Sequence, residues 1–401
     1  MAGKLPMGQK ELVRSKVLAM VVEGKLSLKE GSVRLKVSYR QAKRLVRKYK
    51  EQGDQGLIHG LTGRRSNHGT DQELRSQVLA LYKEKYRGFG PTLASEEMAE
   101  REGIDVKVET LRQWLVKEGL WEARRQGPRG YHARRLPRER FGELVQFDGS
   151  DHEWFEDRGP RCCLMNMVDD ATGRTLAFLT ARETTNAAME LLWRWIDAYG
   201  IPQAVYCDRK NAFVLTREPT IEEQLKGITP KSPFEKACEK LGIEVIVAYS
   251  PEAKGRVERN HGVYQDRFVK ELRLEGIHTI TAANQYLQEQ YLPKINAKFS
   301  KTPAEPEDAH VPLLIQTDLR DILCREEVRV VSRDSIIQFE RHLYRITKDT
   351  FPRPRPRDKV TIHVWLDGSV HIYWKNTPLA VEEFLREYGE DKEESLAACC
   401  P

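Results

Sequence analysis

Apolar positions change their spacing along the 401-residue chain. Up to about residue 120 they recur at helical intervals. Leu12, Val13, Val17, Leu18, Val21 and Val22 form one stripe ending at Gly24, which predicts a helix over 10–24. A shorter helix is expected over 26–37. Ser38 stands where an N-cap belongs and Gly53 where a helix stops, bounding a third helix over 39–53. The same plan returns over 71–86, 91–103 and 106–119. From about Phe141 the apolar residues gather into short runs. Strands are expected at 144–148, 162–170, 175–181, 203–208 and 243–249, with helices at 185–200, 234–242 and 253–276. Three strands followed by alternating helix and strand describe an α/β layer with a mixed sheet. After a helix starting near Ile280 and an extended connection, 326–346 and 358–374 alternate apolar with polar residues around an Asp367-Gly368 turn, the pattern of a small β-barrel.

The expected fold class is therefore multidomain: N-terminal α-helical helix-turn-helix units, a central α/β core with a mixed sheet, and a C-terminal small β-barrel. The segments are a helix-turn-helix domain over 8–60, a basic linker over 61–70, a second helix-turn-helix-like domain over 71–120, a basic linker over 121–140, the core over 141–300, the barrel over 326–376 and an acidic tail over 377–401, partly disordered beyond Glu390. A composition of 40% apolar and 31% charged residues is that of a soluble globular protein. No apolar run approaches a bilayer span and the N-terminus has no signal-peptide core, so a cytoplasmic protein without membrane attachment is expected. The seven cysteines, at 162, 163, 207, 238, 324, 399 and 400, form no CxxC pair and read as reduced packing or tail residues.

Charge adds a direction to this picture. The net +6 divides unevenly: residues 1–140 hold 31 Lys and Arg against 17 Asp and Glu, and residues 141–401 hold 35 against 43. The front of the chain is expected to face a polyanion, through electrostatics and counterion release, against the alternative of a solvated basic surface. Arg40, Lys43, Arg44 and Arg47 lie on the 39–53 helix, the position of a recognition helix in the major groove. Arg112 lies near the start of its counterpart in the second unit. The competing reading of each unit is a packing module without DNA contact. Arg64 and Arg65 sit in a Gly-rich stretch resembling a minor-groove hook, against a plain solvated linker. Arg124, Arg125, Arg134 and Arg135 belong to seven arginines within 121–140, a segment suited to tracking a phosphate backbone. The expected partner is double-stranded DNA.

Three carboxylates carry candidate chemistry. Asp148 in LVQFDGSDHEWF and Asp208 in AVYCDRKNAF each close an apolar run, and Glu258 in GRVERN falls where a strand gives way to a helix. Such positions can bring distant carboxylates onto one surface. Mg2+ takes oxygen ligands, and two such ions can clamp the attacking and leaving oxygens of a phosphodiester. Asp151 and Glu153 are rivals to Asp148, expected on a loop beyond the strand. Asp169 and Asp170 also end a strand, but the ATGR that follows suits a turn with Asx-type bonding. Glu252 shares the passage of Glu258 without its GRVERN context.

Taken together, QFDGSDHEWFEDRGPRCCL, VDDATGR, CDRKNAF and EAKGRVERNHGVYQDRFVKELR resemble the integrase catalytic core of the D-D-E recombinases. That core is a ribonuclease-H-like fold shared by retroviral integrases and many bacterial transposases, and the likeness is strongest to the ISNCY-type insertion-sequence transposases. It extends over most of the chain. The resemblance implies that Asp148, Asp208 and Glu258 are catalytic and ligate two Mg2+ ions, with Mn2+ able to substitute and Asp148 bridging both. It implies cutting at terminal inverted repeats and joining of 3′ hydroxyls to target DNA, by a homodimer or larger assembly because two element ends must be joined. Between the carboxylates lie 59 and 49 residues. The second gap is longer than in many members, through VLTREPTIEEQLKGITPK, read as a surface insertion. Gln265 stands where many members carry Lys or Arg, leaving Lys254, Arg256, Arg259, His261 and Arg267 as alternative DNA contacts. A catalytically silent DNA-binding regulator of the same fold is the alternative function, and a metal-dependent nuclease without strand transfer a third. In such proteins the barrel is an accessory DNA or protomer contact, against a purely stabilising role.

Overall fold

A computed structural model describes residues 8–58, 72–123, 135–209, 213–215, 217–225, 227, 229–248, 255–347 and 350–385. The chain separates into two compact units, Met1–Glu84 and Lys85–Pro401. The first holds α1 (Gln9–Val22), α2 (Leu28–Arg34), α3 (Tyr39–Gln52) and α4 (Gln72–Glu84). Local chemistry sets the helix ends. Ser27 and Glu30 form a reciprocal capping box at α2, Ser38 accepts from the Gln41 amide, and Gly53 closes α3 with φ of 59°. Leu18, Leu45 and Leu57 form a small core.

The second unit begins with α5 (Pro91–Glu102) and α6 (Val108–Lys117). The boundary between units thus falls inside the 71–120 segment that the sequence groups as one domain. Next comes a five-stranded sheet of β1 (Val145–His152), β2 (Cys162–Asp169), β3 (Thr175–Thr180), β4 (Ala204–Cys207) and β5 (Glu244–Val247), in the order β3-β2-β1-β4-β5. β1, β2 and β3 pair antiparallel, while β1, β4 and β5 run parallel, so the sheet is mixed as expected.

The pleat sends alternate residues to two separate cores. Val145, Phe147, Cys163, Met165, Val205 and Cys207 pack with α7 (Thr185–Tyr199) and α9 (Pro233–Lys240), around fully buried Trp195. A short α8 (Ile221–Leu225) lies between β4 and α9. Cys162, Leu164, Ala177 and Leu179 point the other way, toward α10 (Gly255–Leu274), α11 (Ile280–Tyr286) and α12 (Leu292–Phe299), where Trp154, Tyr264, Phe268 and Tyr291 fill the layer. Each of these large buried side chains contributes about 2–3 kcal/mol of transfer free energy.

After α13 (Leu319–Ile322) come β6 (Arg325–Val330), β7 (Ile336–Phe339), β8 (His342–Ile346), β9 (Lys359–Val364), β10 (Val370–Trp374), β11 (Thr377–Pro378) and β12 (Val381–Leu385). They form two sheets, β11-β10-β9-β6 and β12-β8-β7, around a shared core that includes Ile337, Tyr344, Ile362 and Ile372. The strands expected to form a small β-barrel thus divide between two sheets that share one core and do not close into a single sheet. β11 and β12 lie in the stretch read from sequence as tail, because β12 finds a partner edge in β8. Cys162, Cys163, Cys207, Cys238 and Cys324 are buried and in no disulfide, as packing cysteines should be. Among the described residues no helix is long and apolar enough to cross a membrane.

Candidate active site

β1 runs four residues past Asp148, so Asp148 sits in mid-strand rather than at its end. GSDH is a poor strand sequence by composition, but it is held extended by pairing Gly149–His152 with Cys162–Met165 of β2. Asp151 consequently lies in the strand, not on a loop. What separates it from Asp148 is the pleat: Asp151 is odd with Phe147, and Asp148 is even with Gln146 and Ser150.

The even face of β1 is the one α10 crosses. Gln146 Oε1 accepts from the Val257 amide at 3.2 Å, and Gln265 Nε2 donates to Ser150 Oγ at 3.2 Å. Asp148 lies between these two contacts. Its cross-strand partner Asn166 donates to Asn260 of α10 at 2.7 Å. Glu258 stands in the first turn of that helix, between Val257 and Asn260. On the other side, β4 pairs Val205 with Val145 and Tyr206 with Gln146. Asp208 follows immediately after β4, two residues beyond Tyr206, as Asp148 lies two residues beyond Gln146. Val205 and Cys207 point into the opposite core, which leaves Tyr206 on the α10 face. Asp148 and Asp208 are half-buried and Glu258 is exposed.

Oxygen donors of this kind, open to solvent on one face, suit a hard divalent cation. Groups of three ligands whose donor atoms all fall within 4.8 Å of one another occur elsewhere among the described residues, at Asp151/Cys163/Glu183 and Cys324/Glu326/His363. Asp148, Asp208 and Glu258 are not among these groups, so their donor atoms do not all lie within that distance of one another. In the C-terminal group His363 meets Asp321 at 3.3 Å and Glu326 at 3.0 Å, and Lys240 also ends on Glu326 at 2.5 Å. Burial would lower the His363 pKa, but contacts with Cys324 and Glu326 raise it to about 10. His363 is thus the meeting point of several acidic side chains and a thiol.

Of the two rival acids at the end of β2, Asp169 behaves as the turn residue expected. It accepts from the Thr172 amide and hydroxyl, both at 2.7 Å, and from the Gly142 amide at 3.0 Å. Burial raises its pKa against those bonds. Asp170 is different. Fully buried, it receives Arg135 at 2.5 Å, Arg256 at 2.6 Å, Gln146 at 2.9 Å and the Arg138 amide at 2.8 Å. Sequence reasoning missed it, because its partners lie 24 to 86 residues away.

The basic candidates divide by what they touch. Arg40, Lys43, Arg44 and Arg47 are exposed on α3, and Arg259 is exposed beside Glu258. Arg112 forms a bidentate pair with Glu109 at 2.6 and 2.7 Å. Arg135 and Arg256 are engaged by Asp170. Arg267, considered as a DNA contact, is only 11% exposed and bound to Glu96 at 2.7 Å; His261 is buried; Gln265 is engaged by Ser150. Arg64, Arg65, Arg124, Arg125, Arg134, Glu252 and Lys254 lie outside the described residues.

No protein-family profile matches the chain. It is 37% identical to "Putative transposase y4bF" of Sinorhizobium fredii over 95% of its own length and 82% of that protein. It is 29% identical to "Transposase for insertion sequence IS1202" of Streptococcus pneumoniae, over 82% of this chain and 76% of that one. Among solved structures it is similar to a simian T-cell lymphotropic virus intasome in complex with PP2A regulatory subunit B56 gamma (16% identity, 77% of this chain and 96% of that chain, TM-score 0.32). It is also similar to the HTLV-2 integrase catalytic core domain in complex with magnesium (18% identity, 38% and 88%, TM-score 0.28). With a relative 37% identical aligned over nearly its whole length, the chain belongs to the transposase family of that protein.

Proposed function

We propose that the chain is a Mg2+-dependent D-D-E transposase, a polynucleotidyl transferase that binds the terminal inverted repeats of its element, cuts the strand at their ends and joins the 3′ hydroxyls to target DNA. The observation that supports this most is the placement of the three residues along the chain's elements: Asp148 lies on the face of β1 that α10 crosses, Asp208 directly follows the parallel neighbour β4, and Glu258 stands in the first turn of α10. Two Mg2+ ions bound there, with Mn2+ as a substitute, would activate a water or a 3′ hydroxyl and stabilise charge on the leaving oxygen. Asp148, on the central strand of the sheet, is the residue proposed to serve both ions. The remaining work would belong to the scaffold, a sheet and a helix joined by hydrogen bonds of Gln146 and Ser150 with α10. No side chain forms a bond to DNA in this scheme, unlike a tyrosine or serine recombinase. Arg40, Lys43, Arg44, Arg47 and Arg259 are proposed to meet DNA phosphates, and a homodimer or larger assembly to hold two ends together.

The test uses full-length protein, Mg2+ and labelled duplexes carrying the repeats that flank its gene, comparing wild type with Glu258→Gln. We expect 3′ nicks and joined product from wild type alone. Nicks without joining would make the protein a nuclease; binding without either product, in Mg2+ and in Mn2+, would make it a regulator and overturn the proposal.

A further inference from the structure

We propose that Asp170 is a positioning residue for the candidate active site, one buried carboxylate that holds the strand bearing Asp148 and the helix bearing Glu258 in fixed relation. This inference rests on the reading of those residues as the metal-binding trio. An ionised carboxylate removed from water is costly unless it is paired and fully hydrogen-bonded, and Asp170 has donors from three separate parts of the chain. Its Oδ1 receives Arg256 Nε, Gln146 Nε2 and Arg135 Nη2, while Oδ2 receives the Arg138 amide.

The arrangement is directional. An ionised carboxylate only accepts, so Gln146 must turn its NH2 toward Asp170 and its carbonyl toward α10. There it meets the Val257 amide, one of the first-turn donors that have no partner within a helix. Asp170 thus grips Arg256 directly and Val257 through Gln146, the two residues immediately before Glu258. Gln146 in turn lies two residues before Asp148 on the same face of β1. The α10 face of the sheet and the start of α10 are joined at this point through one side chain. Arg135 and Arg138, from the end of the arginine-rich linker, close the network from outside.

Full-length protein is compared as wild type, Asp170→Asn, Arg256→Lys, the double variant and Glu258→Gln. Strand cleavage is followed over a Mg2+ titration, with DNA binding and thermal unfolding recorded for each. Partners that orient metal ligands are typically worth about 10- to 100-fold in affinity or activity. Asp170→Asn should therefore bind DNA as wild type but cleave at least about tenfold more slowly and require more Mg2+. Arg256→Lys keeps the charge and loses the Nε donor, and should shift both readouts in the same direction. The double variant should be no slower than Asp170→Asn, since both act through one contact. A folded Asp170→Asn with wild-type rate and Mg2+ dependence overturns the proposal, as do single losses that multiply in the double variant. Should Asp170→Asn not fold, a wild-type Mg2+ profile in Arg256→Lys overturns it instead. Glu258→Gln separates the two levels: if it cleaves like wild type, the trio itself is misassigned, whereas a dead Glu258→Gln beside a normal Asp170→Asn refutes the positioning role alone.

Discussion

Helix α3 carries Arg40, Lys43, Arg44 and Arg47 on an exposed face, where Arg47 reaches Glu51 at 3.7 Å and Lys43 lies over the Tyr39 ring. Helix α5 carries Glu96, Glu97, Glu100 and Arg101, and these end on α10, α12 and Glu275 just beyond α10. Glu96 meets Arg267 at 2.7 Å and Lys298 at 2.5 Å, Lys294 joins Glu97 and Glu100 at 3.1 and 2.8 Å, and Arg101 meets Glu275 at 2.6 Å. In sequence both helices belong to similar trihelical stretches. The sign and burial of their charges give them different work. Cations left in water are available to a polyanion, while acids laid on a basic helix face fix that helix to the core.

The largest expected effect is on the buried side of this comparison. Lys294→Met would leave Glu97 and Glu271 facing each other without their shared cation, and stability should fall by about 2–4 kcal/mol, read as a lower urea midpoint. An unchanged midpoint would mean that the α5 contacts are incidental. Arg267→Met should cost less, about 1–3 kcal/mol, because Lys298 still reaches Glu96. On α3, Arg44→Ala should leave the midpoint unchanged and instead weaken DNA binding, reducing the salt slope by about one ion per lost phosphate contact. An unaltered salt slope would remove α3 from the DNA surface.

The smallest effect is in pH dependence. Burial raises the Glu271 carboxyl above its ordinary 4.5, against the pull of Lys294. Its contribution to stability is present below that ordinary value and is lost as pH rises through the folded value. Burial also pushes Glu96 upward, but Arg267 and Lys298 outweigh it and hold Glu96 low, so its contribution is present above 4.5 and lost as pH falls. Glu271→Gln should therefore gain stability relative to wild type on going from pH 4 to pH 7, and Glu96→Gln should lose it. Equal shifts at both pH values would contradict these assignments.

What could be read from sequence was what is decided locally. The Ser38 cap and the Gly53 stop bound α3 as expected, because both act within one helical turn. Asp148, Asp208 and Glu258 were legible as candidates because each stands at a strand or helix with a distinctive neighbourhood. The length of β1 was not, since GSDH becomes strand only through β2. Nor was β12, whose residues read as acidic tail until paired with β8. Asp170 beside Asp169 looked like a second turn residue, and only partners at 135, 138, 146 and 256 give it another role.

The parallel pairing of β1 with β4 makes the sheet a ruler. Neighbouring strands lie about 4.8 Å apart however much chain is looped out between them, so the spacing of β1 and β4 is set by hydrogen bonding and not by the length of chain that connects them. Residues can therefore be gained or lost in the connections between β1 and β4 with little consequence for that spacing. A single-residue slip in β1 has no such tolerance, because it would turn Asp148 toward the core packed by α7.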